Sequence, residues 1–121
     1  SGDLGTSGDN SDNAYHVVLS VSDASTTVLD GFTVEKGNSS GTGYISVEAQ
    51  FVLRSSGGGL CSNASSMTVV NCMFSNNSTS GNGGGAQNTG GSPAFSTCIF
   101  SGNSASAGAG MSNTSNASPS L

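Results

Sequence analysis

The chain has 121 residues and carries two Lys or Arg against seven Asp or Glu, which gives a formal net charge of −5. Because no basic patch can neutralise phosphates, the composition excludes nucleic acid as a partner and disfavours an anionic membrane surface. Charged residues make up only 7% of the chain, against about 25% in an average soluble protein. No apolar run approaches the roughly 18 residues of a membrane span, so none is predicted.

The first third of the chain predicts turns followed by short strands. Residues 1–13 are rich in Gly, Asp and Asn, which favours turns. Residues 15–21 predict a strand, in which the lone His16 is interpreted as structural. Residues 26–34 predict two short strands bent near Gly31. The pair Gly37-Asn38 is expected to close this coil of the chain, as Gly102-Asn103 closes a later one.

Residues 44–56 match no repeat and are predicted to be an insertion. From Ile45 to Arg54 every odd position is apolar, and the even positions are polar except Val52. This period of two predicts one strand with one buried face. Two interpretations stay open: a side loop that lies on the main fold, or a strand offered to another subunit by strand addition. The contact residues of that assembly strand would be Ile45, Val47, Phe51 and Leu53.

Residues 57–107 contain one segment written twice. The offset from Gly59 to Gly85, from Cys72 to Cys98 and from Phe74 to Phe100 is constant at 26 residues. A third copy begins at Gly108 and is cut short. A fixed period of this length predicts a solenoid, in which each coil buries its apolar face against its neighbour.

Within one repeat the pattern predicts a strand, a one-residue bend and a second strand. Met67 and Val69 are expected to point inward before a bend at Asn71, because Asn tolerates the left-handed conformation. Cys72 and Phe74 then point inward on the second strand. Stacking of coils about 4.8 Å apart predicts two internal ladders, Phe74 with Phe100 and Cys72 with Cys98.

The repeat resembles those of a known family. Gly57-Gly58-Gly59-Leu60 followed by residues 70–77 (VNCMFSNN) resembles the right-handed parallel β-helix proteins of the pectate-lyase-like superfamily. The closest group is the secreted and surface-anchored bacterial proteins with polymorphic-outer-membrane-protein-type repeats. Residues 1–18 and 29–38 also resemble segments of those proteins, so the resemblance covers most of the chain outside the insertion.

The resemblance implies an all-β, right-handed parallel β-helix of about four to five coils, with one inserted strand. Residues 1–121 are predicted to form a single domain that is a fragment or an assembling subunit of a longer array. In the closest group such modules form surface or secreted scaffolds, often with proposed adhesion, whereas some relatives in the superfamily cleave polysaccharides.

Candidate catalytic groups are sparse. Enzymes of this fold combine a base with clustered carboxylates, but Lys36 and Arg54 are the only strong bases and stand in different sequence contexts. We therefore predict no catalytic residue and no cofactor. The leading hypothesis is a non-catalytic extracellular or cell-surface structural module that extends, adheres or assembles head-to-tail into filaments, with self-association as its main interaction. The alternative is a carbohydrate-active enzyme or a carbohydrate-binding module with glycan partners.

Asp9 and Asp12 are weak candidates for calcium binding, because Asp9-Asn10-Ser11-Asp12-Asn13 places several oxygen ligands close together. The alternative is an Asx-rich turn. Cys72 and Cys98 are interpreted as small core residues, with a disulfide between stacked coils as the alternative. Cys61 is expected to face the other way.

The chain contains sequence signals for asparagine-linked glycosylation, which chance also produces in so Asn- and Ser-rich a composition. These candidate sites are Asn38, Asn63, Asn76, Asn77, Asn113 and Asn116.

Overall fold

The structure, a computed structural model, describes residues 1–121 and is built almost entirely of short strands. A single turn of 3-10 helix covers Asn10–Asp12, and no helix has the length and apolar character needed to cross a membrane. In chain order the strands are β1 (Val18–Val21), β2 (Val28–Asp30), β3 (Thr33–Glu35), β4 (Asn38–Ser39), β5 (Tyr44–Val47), β6 (Gln50–Leu53), β7 (Leu60–Asn63), β8 (Thr68–Val70), β9 (Met73–Ser75), β10 (Ser78–Thr79), β11 (Ala86–Thr89), β12 (Ala94–Ser96), β13 (Ile99–Ser101) and β14 (Met111–Thr114).

The strands form parallel sheets that run along a solenoid. Sheet A has the order β1-β7-β11-β14, sheet B the order β2-β8-β12, and sheet C the order β3-β9-β13. Sheet D pairs β4 with β10. The chain visits A, B, C and D in turn, which makes three successive coils and a partial fourth that contains β14. This arrangement confirms the prediction of a parallel β-helix, but with three coils and a partial fourth instead of the predicted number of about four to five.

The ladder predicted from the repeat is present in the core. Phe74 pairs with Phe100 in sheet C, and their ring centroids lie 4.9 Å apart with an angle of 9° between the ring planes. Phe74 is fully buried, whereas Phe100 is half-buried at the end of the stack. The buried apolar cluster consists of Val34, Leu60, Met67, Val69, Cys72, Phe74, Ala86 and Phe95.

Single residues with positive φ turn the chain between sheets. Asn71 has φ of 53° at the bend between sheets B and C, as predicted, and Gly31 and Thr97 take the same place in the neighbouring coils. The bend between sheets C and D is made by Lys36, Asn76 and Gly102, which also have positive φ. The expected match of Gly37-Asn38 with Gly102-Asn103 is therefore wrong by one residue, because Ser78 pairs with both Asn38 and Ser104.

The insertion is a hairpin of two antiparallel strands, β5 and β6, rather than the single predicted strand. The chain turns at Glu48 and Ala49, whose φ values are 47° and 60°. The inward-facing positions change from odd to even across this turn, so Val52 is 1% exposed whereas Phe51 is 65% exposed. The predicted contact residues of the assembly strand therefore do not share one face. The prediction failed because the period of two continued through two residues that lack the Asn-Gly signature of such a turn.

Candidate functional site

A cleft of about 190 Å³ lies between the hairpin and the outer face of sheet A. Alternation along each strand sets that face: Leu60 and Ala86 point into the core, so their neighbours Cys61 and Gln87 point outward. Thr89 and Thr114 pair with each other one coil apart and complete the outward wall. The opposite wall is formed by the hairpin strand β6.

Hydrogen bonds at several points hold the hairpin on the solenoid. Asn63 Nδ2 donates to the carbonyl oxygen of Phe51 over 2.8 Å, which ties β6 to sheet A. At the stem of the hairpin, Gly41 N–H and Ser39 Oγ both donate to the carbonyl oxygen of Arg54, over 3.0 and 2.8 Å. Val52, a residue of β6 itself, is buried. The insertion is thus a fixed wall of the cleft and not a detached loop.

Amide and hydroxyl groups form a connected network on the wall of sheet A. Gln87 Nε2 donates to Thr114 Oγ1 over 2.9 Å and to Thr89 Oγ1 over 3.3 Å. The two threonine hydroxyls are themselves 3.3 Å apart. Gln87 is 3% exposed, and its Oε1 has no hydrogen-bond partner. Since a buried polar atom without a partner is costly, this atom marks the site where a ligand group would be most favourable.

The cleft is electrically neutral. None of the residues that line it is Asp, Glu, Lys, Arg or His. Cys61 lies on its wall, and burial raises the pKa of that thiol to about 11, so the group is uncharged at neutral pH. The cleft therefore suits a neutral ligand that offers hydrogen bonds, rather than an ion.

The three cysteines are unpaired, so the alternative of a Cys72–Cys98 disulfide is not realised. Cys72 is buried in the core, Cys98 is half-buried, and Cys61 faces outward as expected but is covered by the hairpin. We expect a thiol reagent at pH 8 to modify Cys98 well before Cys61, because both burial and the raised pKa suppress the Cys61 thiolate. Mass spectrometry of peptides after timed alkylation measures this order.

The same pKa shift affects stability at high pH. Because the pKa of Cys61 rises from 9.0 to about 11 on folding, the folded state keeps the thiol protonated where the unfolded chain already loses its proton. The contribution of Cys61 to the free energy of unfolding is fully present below pH 9.0 and is lost as the pH rises towards about 11. A Cys61→Ser variant should lose less stability over this range, as measured by urea unfolding at pH 8 and pH 10.5.

The two strong bases of the chain, for which no catalytic role is predicted, have different partners. Lys36 Nζ lies 2.8 Å from Asp3 Oδ2, and this hydrogen bond raises the pKa of Lys36 and lowers that of Asp3. The guanidinium carbon of Arg54 lies 5.9 Å from the centre of the Tyr15 ring. His16 Nδ1–H donates to the carbonyl oxygen of Gly57 over 2.9 Å, and burial lowers the pKa of His16. These contacts agree with structural roles for all three.

The carboxylates of the calcium candidates serve the local turn. Asp9 Oδ1 accepts from both the N–H and the hydroxyl of Ser11, over 2.9 and 2.7 Å, and these bonds lower the pKa of Asp9. Asp12 Oδ2 accepts from the N–H of Thr6 over 2.8 Å. The chain contains no group of three or more His, Cys, Asp or Glu arranged to hold a metal ion. The geometry matches the alternative of an Asx-rich turn.

The six candidate glycosylation sites differ in accessibility. Asn63 and Asn77 are buried and use their side-chain amides in hydrogen bonds. Asn38 Nδ2 donates to the carbonyl oxygen of Asn10 over 2.7 Å, and Asn113 Oδ1 accepts from Asn88 over 2.8 Å. The two remaining sites are Asn76 and Asn116, which are exposed and whose side chains form no hydrogen bond with the rest of the chain.

We therefore expect Asn76 and Asn116 to be the modified sites when the chain is secreted from a eukaryotic host. Glycopeptide mass spectrometry should find glycans at these positions, and the Asn76→Gln and Asn116→Gln variants should each lose one. A glycan at Asn63 or Asn77 on folded protein would contradict the burial of those side chains.

Comparison of the chain with protein-family models, curated proteins and solved structures finds no match.

Proposed function

We propose that the chain is a non-catalytic structural module, extracellular or at the cell surface, that extends by stacking one coil on the next. The observation that carries this proposal is the surface at the C-terminal end of the solenoid. Strand β13 has a neighbour, β9, on one side only. Beside it is a recess of about 280 Å³ lined by Phe95, Thr97, Cys98, Phe100 and Leu121.

The backbone of this end surface is oriented for a further strand. Ile99 N–H donates to the carbonyl oxygen of Cys72, and Ser101 accepts from Asn76 N–H, so both residues bond to the preceding coil. In a parallel strand the residue between them presents its N–H and C=O to the opposite side. The peptide groups of Phe100 therefore face outward, where a coil of the same polypeptide or of a second copy can pair with them.

The composition and the repeat resemblance support the same function. A surface of Ser, Asn, Gly and Thr with few lysines is typical of secreted scaffolds, and the repeat resembles those of the secreted and surface-anchored polymorphic-outer-membrane-protein group. The proposal includes membership of the pectate-lyase-like superfamily, an extracellular location and a role in adhesion. End-to-end contact is heterologous and builds filaments unless it closes.

Light scattering over a concentration series tests the proposal. We expect the chain to form larger particles as its concentration rises, and negative-stain images to show rods. Leu121→Asp should suppress this growth, because Leu121 is 88% exposed beside the recess. The control is Met73→Asp, which places the same charge on a 38% exposed residue of β9, the middle strand of sheet C, away from both ends of the stack. A monomer at every concentration, or equal effects of both variants, would contradict end-to-end stacking.

A further inference from the structure

One edge of strand β6 faces the cleft with unused backbone groups. Arg54 N–H donates to Gly43 C=O over 3.2 Å. This bond establishes which residue pairs of the hairpin are joined by backbone hydrogen bonds. Hydrogen-bonded and non-hydrogen-bonded pairs alternate in an antiparallel hairpin. Ile45–Val52 is therefore a hydrogen-bonded pair. Phe51 and Leu53, whose partners are Ser46 and Tyr44, belong to non-hydrogen-bonded pairs. The N–H and C=O groups of Phe51 and Leu53 therefore point away from β5.

The contact of Asn63 confirms this orientation. Its side-chain amide reaches the carbonyl oxygen of Phe51 from the side of sheet A. The N–H groups of Phe51 and Leu53 and the carbonyl oxygen of Leu53 thus lie along the cleft. Groups two residues apart on a strand are spaced by about 6.8 Å, which is also the repeat of any strand that pairs with them.

The wall opposite β6 provides a buried group that needs a partner. Gln87 is a lining residue whose Oε1 is unpaired, while its Nε2 is engaged with Thr114 and Thr89. Turning the amide by half a rotation would exchange the two atoms and leave Nε2 in the unpaired position. Either way one polar atom of a 3% exposed side chain lacks a partner in the cleft.

We propose that the cleft binds an extended, uncharged polypeptide segment, which adds as a strand to the free edge of β6 while one of its polar groups bonds to Gln87. The regular spacing of the edge groups favours a peptide backbone, and the neutral lining favours small uncharged side chains. This inference goes beyond end-to-end stacking, because it places a second contact on the side of the solenoid. The cleft volume of about 190 Å³ admits only a short segment.

The test is a titration of ¹⁵N-labelled protein with a panel of capped pentapeptides of the form acetyl-Gly-Ser-X-Thr-Gly-amide, where X is Ser, Val, Thr or Gln. Cellotetraose, a neutral oligosaccharide, is titrated in parallel. We expect at least one peptide to bind with a Kd of about 1 mM and to shift the backbone amide signals of Phe51 and Leu53 most strongly. The proposal would be overturned if no peptide shifts these signals at a concentration 10-fold above that Kd. It would also be overturned if cellotetraose binds at these amides and no peptide does.

Matched proline variants separate strand addition from other modes of binding. Leu53→Pro removes an N–H from the edge that faces the cleft, and Ser46→Pro removes one from the opposite edge of the same hairpin. We expect Leu53→Pro to weaken peptide binding at least 10-fold and Ser46→Pro to leave it unchanged. Gln87→Met, which keeps the side-chain length, should also weaken peptide binding at least 5-fold. This variant tests the proposal if Leu53→Pro does not fold. Equal affinity in the wild type, Leu53→Pro and Gln87→Met would refute the assignment.

Discussion

Replacing Phe74 by alanine is expected to lower the free energy of unfolding by about 3–5 kcal/mol, because it empties the centre of the core. The ring is fully buried and stacks at 4.9 Å on Phe100 on one side. On the other side it pairs with Val34. In a solenoid each coil is stabilised mainly by its neighbours, so the loss at the middle coil should weaken the coils on both sides.

Urea unfolding monitored by circular dichroism measures the change in Phe74→Ala. Ile99→Ala is the control, because Ile99 lies on the adjacent strand of sheet C but is 57% exposed. We expect the control to change the free energy of unfolding by less than about 1 kcal/mol. Similar losses in the two variants would show that the inward and outward faces of sheet C are assigned incorrectly. Phe100→Ala should fall between them, because Phe100 is half-buried.

The second large effect is expected for Asn77→Ala. Asn77 is fully buried and joins three coils: its Oδ1 accepts from Gly37 N–H over 2.9 Å, and its Nδ2 donates to Val34 C=O over 2.9 Å and to Asn103 Oδ1 over 3.1 Å. Alanine would remove this side-chain partner from Gly37 N–H and Val34 C=O, at about 1–3 kcal/mol each, whereas Asn103 Oδ1 keeps its bond from Asn77 N–H. We therefore expect a total loss of about 2–6 kcal/mol, summed over those two groups.

The matched control is the preceding residue. Asn76→Gly keeps the left-handed backbone that Asn76 adopts with φ of 53°, and Gly102 already takes this place in the next coil. The control should therefore change stability by less than about 1 kcal/mol. Thermal and urea unfolding of both variants measure the difference. An Asn77→Ala protein as stable as Asn76→Gly would mean that the asparagine bonds between coils contribute little.

The fold of the repeated segments could be predicted from the sequence, whereas the fold of the insertion at residues 44–56 could not. The spacing of Phe74 and Phe100 gave the coil register directly, since equivalent residues of a solenoid must stack. Asn77 and Asn103 repeat with the same offset, but their inward role was missed because Asn is typical of turns and no pattern separates a turn asparagine from a buried one.

The candidate site was not predictable, because it depends on contacts between the insertion and the repeats. Glu48 and Ala49 make a tight turn with residues that are uncommon there, so the hairpin was read as one strand. Without the hairpin, Gln87 and Thr114 are ordinary outward-facing polar residues of a β-helix, and Cys61 has no reason to be buried. The recurrence of Asn63, Thr89 and Thr114 at one outward position is the only signal that pointed to this wall.

The central claim, that this chain is an extendable stack of coils, is tested most directly by lengthening it. One, two or three further copies of residues 83–107 would be inserted after Ala107, so that each new coil pairs in the register of β11, β12 and β13. We predict folded proteins whose length along the stack grows by about 4.8 Å per copy, so that the maximum dimension measured by small-angle X-ray scattering increases with copy number while the melting temperature rises. Unfolded or collapsed products, or a maximum dimension that does not increase with copy number, would contradict the account.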